Sequence, residues 1–160
     1  MSENYRVPSG FRIVSGGQTG ADQAALDWAI ARGVGHGGWC PKGRRAERGS
    51  IDPKYLLMET PRADYLERTA WNVRDSDATV IFTLAEELAG GSKRSASFAE
   101  SHGKPWLHMR PRIDPKFLVH FLDRHRVVTL NVAGTRESLA PGIGTLVAQV
   151  LDQAMCVPRG

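Results

Sequence analysis

The feature that most limits what this chain can fold into is the alternation of short apolar runs with helix-compatible segments along its length. The clearest run is Ala78 to Leu84, Ala-Thr-Val-Ile-Phe-Thr-Leu. It is nearly continuous in apolar and β-branched residues, the pattern of a central parallel strand buried on both faces. Further strands are expected at Phe11 to Ser15, Gly37 to Cys40, Pro105 to His108 and Val127 to Asn131. Helices are expected at Gly20 to Arg32, Ala63 to Arg74, Lys93 to His102, Pro115 to Arg124 and Pro141 to Met155. In the first of these, Ala21, Ala25, Trp28 and Ala29 share one face, and Gly33 ends it. Such alternation predicts an α/β fold, a five-stranded, mainly parallel sheet covered by helices on both faces. With right-handed crossovers the expected strand order is 2-1-3-4-5, with a topological switch point between the first and third strands. Ligands of open α/β sheets bind outside the carboxyl ends of the strands at that point.

The loops flanking the expected switch point are both glycine pairs that run into a helix. The first is Ser15-Gly16-Gly17-Gln18-Thr19-Gly20 and the second is Gly90-Gly91-Ser92-Lys93-Arg94-Ser95. Successive backbone N–H groups in such turns form a concavity, and each helix N-terminus adds about half a positive charge. Together they suit an anion, phosphate above all. The spacing matches neither GxGxxG nor GxxxxGK[ST], and a Gly-Gly turn also serves plain chain reversal. Cations in the first turn of a helix oppose its dipole unless an anion is present, so Lys93 and Arg94 favour a ligand there. Lys42, Arg44 and Arg45 follow the second strand at the same sheet edge, where they either meet the anion or face water. The expected phosphate contacts are therefore Gly16, Gly17, Gln18, Thr19, Lys42, Arg44, Gly90, Gly91, Ser92 and Ser95.

Other residues read as structural. Thr19 and Asp22 fit an N-cap with a reciprocal acid, and Ser92 fits an N-cap or a ligand contact. Arg68, Asn72 and Asp75 recur on one stripe of the second helix; Arg68 and Asp75 are expected to lock the helix to the sheet, and Asn72 is open. Residues 42–61 are too long for an idle connection and are expected to fold over the sheet edge, with a helical turn near Tyr55. The loop 132–140 is a third run of small and polar residues at a strand end, but it lies away from the expected switch point.

Composition excludes several classes. The chain has 160 residues, 41% hydrophobic and 24% charged, as expected of one domain spanning 1–160 with residues 1–10 as a frayed lead-in. No apolar run of about 18 residues is present to cross a membrane, and the polar start lacks a signal-peptide core, so a cytoplasmic setting is expected. A net charge of +4 suits anionic ligands. Basic residues without interleaved aromatics do not make a nucleic-acid surface. Cys40 and Cys156 are far apart, and His36, His102, His108, His120 and His125 share no ligand spacing with them, so no zinc site is expected and both thiols are expected to be reduced and buried. No nucleophile–base pair or carboxylate pair stands out as a catalytic set.

Taken together, Ser15-Gly16-Gly17-Gln18-Thr19-Gly20-Ala21-Asp22, Trp39-Cys40-Pro41-Lys42-Gly43-Arg44, Glu59-Thr60, Arg68-Thr69, Asn72-Val73, Asp75-Ser76-Asp77-Ala78-Thr79, Gly90-Gly91-Ser92, Asn131-Val132-Ala133-Gly134 and Arg136-Glu137-Ser138 resemble the molybdenum carrier family, over nearly the whole chain. The resemblance implies a Rossmann-like three-layer αβα fold related to lysine-decarboxylase-like proteins, binding of the molybdenum cofactor, and homo-oligomers. That cofactor is a pterin with a terminal phosphate, which an anion-binding double loop would suit. Carried over, Gly16, Gly17, Gln18, Thr19, Gly91 and Ser92 are the implied contacts. Related phosphoribohydrolases carry Pro-Gly-Gly-x-Gly-Thr-x-x-Glu, whereas here Ala89 precedes the pair, Lys93 replaces the next glycine and Ala96 the glutamate. Three functions follow as alternatives: a carrier of the phosphorylated pterin, a nucleotide hydrolase using spare acids such as Asp22 and Glu100, and a nucleotide-sensing module.

Overall fold

The computed structural model describes residues 4–158. In chain order the elements are β1 (Tyr5–Arg6), β2 (Arg12–Val14), α1 (Ala21–Ala31), β3 (Gly35–Gly37), β4 (Trp39–Cys40), β5 (Arg45–Ala46), β6 (Gly49–Ser50), β7 (Met58–Glu59), α2 (Tyr65–Arg74), β8 (Ala78–Phe82), α3 (Gly90–Ser101), β9 (Trp106–Met109), α4 (Lys116–Arg124), β10 (Thr129–Gly134), α5 (Ile143–Ala154) and β11 (Met155–Cys156). Five strands pair in parallel in the order β3-β2-β10-β8-β9. Side chains alternate across this sheet. Ile13, Val80, Phe82, Leu130 and Val132 enter the main core with residues of α1, α4 and α5. The alternate positions Thr79, Thr83 and Asn131 are buried as well but polar, and Asn131 donates to Thr79 at 3.2 Å. Helix α2 packs on α3, and α3 packs on β8. This is the expected Rossmann-like α/β fold.

The strand order departs from expectation. The fifth expected strand, β10, lies between the first (β2) and the third (β8), so the order in expectation numbering is 2-1-5-3-4 and not 2-1-3-4-5. Neighbouring positions for consecutive strands are a tendency, and burial overrides it here. β10 is the longest strand of the sheet, and its Leu130, Asn131 and Val132 are all buried. Counted from β10 as the first strand, the order becomes 3-2-1-4-5, the doubly wound arrangement. The switch point therefore falls between β10 and β8.

Three smaller departures have local causes. The second expected strand breaks in two: Gly35–Gly37 stays in the sheet, while Trp39–Cys40 turns away to pair with β7. The break is Gly38, at φ 127°, where a Cβ would stand 2.3 Å from the Ser15 carbonyl oxygen. Residues 5–7 are not frayed: β1 pairs with β11, and the buried Tyr5 donates its hydroxyl to the Val127 carbonyl at 2.7 Å. Residues 42–61 fold over the sheet edge as expected, through the hairpin β5–β6 and strand β7, and enclose a second core of Leu26, Cys40, Ile51 and Tyr55. Cys40 is buried and free, its thiol pushed up by that burial, while Cys156 is exposed, contrary to expectation.

Candidate functional site

The carboxyl ends of β2, β10 and β8 open onto a cavity of about 530 Å³, walled by α2 and the start of α3. That volume lies within the range of small-molecule sites. Of the expected contacts, Gly16, Gln18, Gly90, Gly91, Ser92 and Ser95 line it together. The other four do not. Gly17 turns its open side to Leu57 and Ile51 beneath the 42–61 segment, and the Thr19 hydroxyl donates to Glu47. Lys42 is exposed away from the cavity. Arg44 is held inside its own loop, where it donates to the carbonyls of Ile51, Asp52 and Tyr55. Its guanidinium is a loop brace.

The two glycine loops differ in their electrostatics. At the first, Asp22 in the opening turn of α1 folds back so that its Oδ2 accepts the Gln18 N–H at 3.2 Å. The same oxygen accepts Arg68 Nη1 at 3.2 Å, with the side chains only 6% and 13% exposed. Burial pushes the Asp22 carboxyl above the usual carboxylate range, against the pull of the Arg68 guanidinium and the Gln18 amide. Asp22 is thus not the partner of a Thr19 cap. The cap position is Gly20, without a side-chain bond. Gly16 is needed here because an added Cβ would stand 1.9 Å from Arg68 Nη1. The Gln18 amide at the start of α1 is accordingly already bonded from within the protein, beside the Arg68–Asp22 pair.

At the second loop α3 begins earlier than expected, at Gly90, with Ala89 as its cap residue. Ser92 is the third helical residue, and its hydroxyl accepts from the Ala89 N–H at 3.1 Å and donates to the Ala89 carbonyl at 2.7 Å. The amides of Gly90 and Gly91, as first residues of the helix, have no intrahelical acceptor. A Cβ at either would meet nothing within 4 Å, and both glycines are exposed. Arg94 stands on the cavity wall beside them. No acidic side chain lies in the first turn of α3, though Glu87, just before it, lines the cavity with Arg94.

Several lining residues were not legible in sequence. The loop after β10 lies against the cavity, Gly134 to Arg136 and Leu139 included, because β10 is central in the sheet. Its resemblance to the other two loops, small residues ending a strand, was the available signal. Glu47 clamps that loop: it accepts from the Ser138 hydroxyl at 2.6 Å and from Thr19, and these bonds hold its carboxyl below the usual range. Thr83, at the end of β8, contacts His108 Nε2 at 2.6 Å and donates to the Ala85 carbonyl at 2.7 Å. Asn72, left open from sequence, lines the cavity and clasps the Trp39 backbone, accepting its N–H at 2.8 Å and donating to its carbonyl at 2.9 Å. Asp75 accepts the Trp39 indole N–H at 2.8 Å, a structural role as expected. Glu100 is exposed and outside the cavity. Among the described residues, no cluster of three metal-ligating side chains occurs, and no helix is long and apolar enough to cross a membrane.

Comparison with known proteins agrees with this architecture. Residues 13–155 match the circularly permutated YpsA SLOG family. The sheet order, which becomes the doubly wound one when counted from β10, is compatible with a permuted chain. A crystal structure from Syntrophus aciditrophicus SB, named "Putative molybdenum carrier protein", is 42% identical over 88% of this chain and 92% of that chain, with a TM-score of 0.83. No curated protein matches. The chain belongs to the circularly permutated YpsA SLOG family, and with it to the molybdenum carrier group that its motifs resemble.

Proposed function

We propose that the cavity holds a small anionic, phosphate-bearing ligand, and that this ligand is the phosphorylated pterin of the molybdenum cofactor, carried without being transformed. The observation that carries the reading is the start of α3, where Gly90 and Gly91, first residues of the helix, and Arg94 line a cavity of about 530 Å³. Gly16, Gln18, Ser92 and Ser95 line it as well, as do the carboxylates of Glu87 and Asp22. The name of the 42%-identical neighbour supports the choice of cargo. The cavity also suits the rest of such a molecule, since Tyr65, Leu66 and Leu139 offer aromatic and apolar surface. Calorimetric titration with the cofactor under anaerobic conditions, beside adenosine and guanosine monophosphates, tests it. Binding of the cofactor in preference to the nucleotides is expected. No affinity for the cofactor, with tight nucleotide binding, would reject it. A cytoplasmic setting and assembly into homo-oligomers belong to the same proposal, and light scattering reads the second.

One observation favours a second reading, hydrolysis of a nucleotide at its N-glycosidic bond. Asp22 is a buried carboxyl pushed upward at the cavity, which is the environment of a general acid. Release of free base from a panel of nucleoside monophosphates would support it, and no release across the panel rejects it.

A further inference from the structure

The loop after β10 brings one more cation to the cavity wall, Arg136. Its backbone is pinned. At the exit of β8 the Thr135 N–H donates to the Phe82 carbonyl at 3.2 Å, and at the start of α1 the Thr135 carbonyl accepts the Ala21 N–H at 3.2 Å. A Cβ added at Gly20 would stand 2.5 Å from that same carbonyl oxygen, so the loop lies tightly on the head of α1. The guanidinium is not pinned. Among the described residues its ion-pair partner is Glu47, with Nε 3.9 Å from the carboxylate, too long for a hydrogen bond, and the Arg136 side chain is 47% exposed. Arg44 and Arg68, by contrast, are committed to loop carbonyls and to Asp22. Arg136 thus has a fixed base and a loosely held head.

The charges on the wall show what that head decides. Among the described residues, the charged side chains lining the cavity are Asp22, Arg68, Glu87, Arg94 and Arg136. Counted as an ion pair, Asp22 and Arg68 at 3.2 Å contribute no net charge. Glu87 and Arg94 cancel in the same count. Arg136 is what remains, and without it the wall carries no excess of either sign. Its place in the fold fits a ligand contact. The switch point lies between β10 and β8, whose Gly134 and Phe82 are register partners, and Arg136 follows Gly134 directly after Thr135. We infer that Arg136 is the cation that makes this cavity an anion site: on binding, its guanidinium leaves Glu47 and donates to the phosphate of the ligand. This rests on the anion reading above and adds to it the residue that sets the charge preference. Glu47 keeps its bonds to Thr19 and Ser138 throughout, so the loop backbone stays in place.

The test uses the whole chain and two probes, 6-hydroxymethylpterin monophosphate and 6-hydroxymethylpterin, the same ring without the phosphate. Wild-type protein is expected to prefer the phosphorylated probe. In Arg136→Gln that preference should shrink about tenfold, the worth of a charge-assisted hydrogen bond, with affinity for the unphosphorylated probe unchanged. Arg124→Gln removes the same charge from the exposed end of α4 and should leave the preference intact. Glu47→Gln frees the guanidinium and should strengthen binding of the phosphorylated probe about two- to threefold, a gain that disappears when Arg136→Gln is added. An Arg136→Gln protein that keeps the wild-type preference overturns the inference and leaves the anion site standing. Equal loss of affinity for both probes in that variant marks a structural role and overturns it as well. So does a gain from Glu47→Gln that survives the loss of Arg136, because Glu47 would then act through its field alone. Wild-type protein that binds both probes equally, or neither, rejects the anion site itself and the inference with it.

Discussion

Removing the Arg68 guanidinium is the sharpest test of how the cavity is built. In Arg68→Met the stem that lies along Gly16 is largely kept, but the Asp22 carboxyl loses its cation. Both side chains are buried, at 6% and 13% exposure, so solvent screening weakens the pair little. Stranding one partner of a buried pair costs about 3–5 kcal/mol. The lower end applies, because Asp22 keeps the Gln18 N–H and can take up a proton. About 3 kcal/mol at neutral pH is therefore expected, read from urea unfolding by linear extrapolation. The sign of the pH dependence follows from burial. The folded Asp22 carboxyl already titrates above its unfolded value, so folding favours its protonated form. That contribution is full below the unfolded value and is lost as pH rises through the folded one. Without Arg68 the folded value climbs further, so the variant's deficit against wild type should narrow as pH falls from neutral towards the ordinary carboxylate range. Adding Asp22→Asn to Arg68→Met should restore much of the loss, as a double-mutant cycle would show. A deficit under about 1 kcal/mol at neutral pH, or one that does not change with pH, would refute the reasoning.

Three further outcomes are expected. Gly16→Ala places a Cβ 1.9 Å from Arg68 Nη1 and displaces the guanidinium, so it should lose about 2–3 kcal/mol with the same narrowing at low pH; a pH-independent loss would point to backbone damage instead. Gly91→Ala meets nothing within 4 Å, so unfolding free energy should stay within about 0.5 kcal/mol of wild type while affinity for a phosphate-bearing ligand falls; unchanged affinity would remove Gly91 from the site. Asn72→Ala deletes both bonds to the Trp39 backbone from a buried side chain and should cost about 2–3 kcal/mol, with loss of the near-ultraviolet signal of Trp39 and Trp71, whose rings stand 4.8 Å apart; a cost near zero would show that the clasp is replaceable by water.

Much of the fold was legible because it rests on local chemistry. A nearly unbroken apolar run such as Ala78 to Phe82 can only be a strand buried on both faces, and five runs alternating with helical segments leave a parallel sheet as the economical solution. Glycine pairs at strand ends mark where backbone amides can be bared, and the resemblance of the motifs reached the family for the same reason, since motifs are contiguous. Arg68 was legible as a structural ion pair of its helix, though not its partner Asp22, and the role of Arg44 was not legible. A guanidinium near a sheet edge in sequence braces a loop or faces a cavity, and only its neighbours decide: three carbonyls capture Arg44 inside its own loop.

By itself, then, the sequence determined the kind of sheet, its helices, and the two glycine loops at its edge. Tertiary structure decided the strand order, and with it which loops meet. Pairing between β10 and β2 joins residues 117 positions apart in sequence, such as Thr129 and Arg12, and no local pattern encodes such a partner. Once β10 lies between β2 and β8, its loop closes the cavity, α2 can reach Asp22 through Arg68, and the two glycine loops differ: the first is filled by an internal Arg68–Asp22 pair, while the second holds no acid in the first turn of its helix.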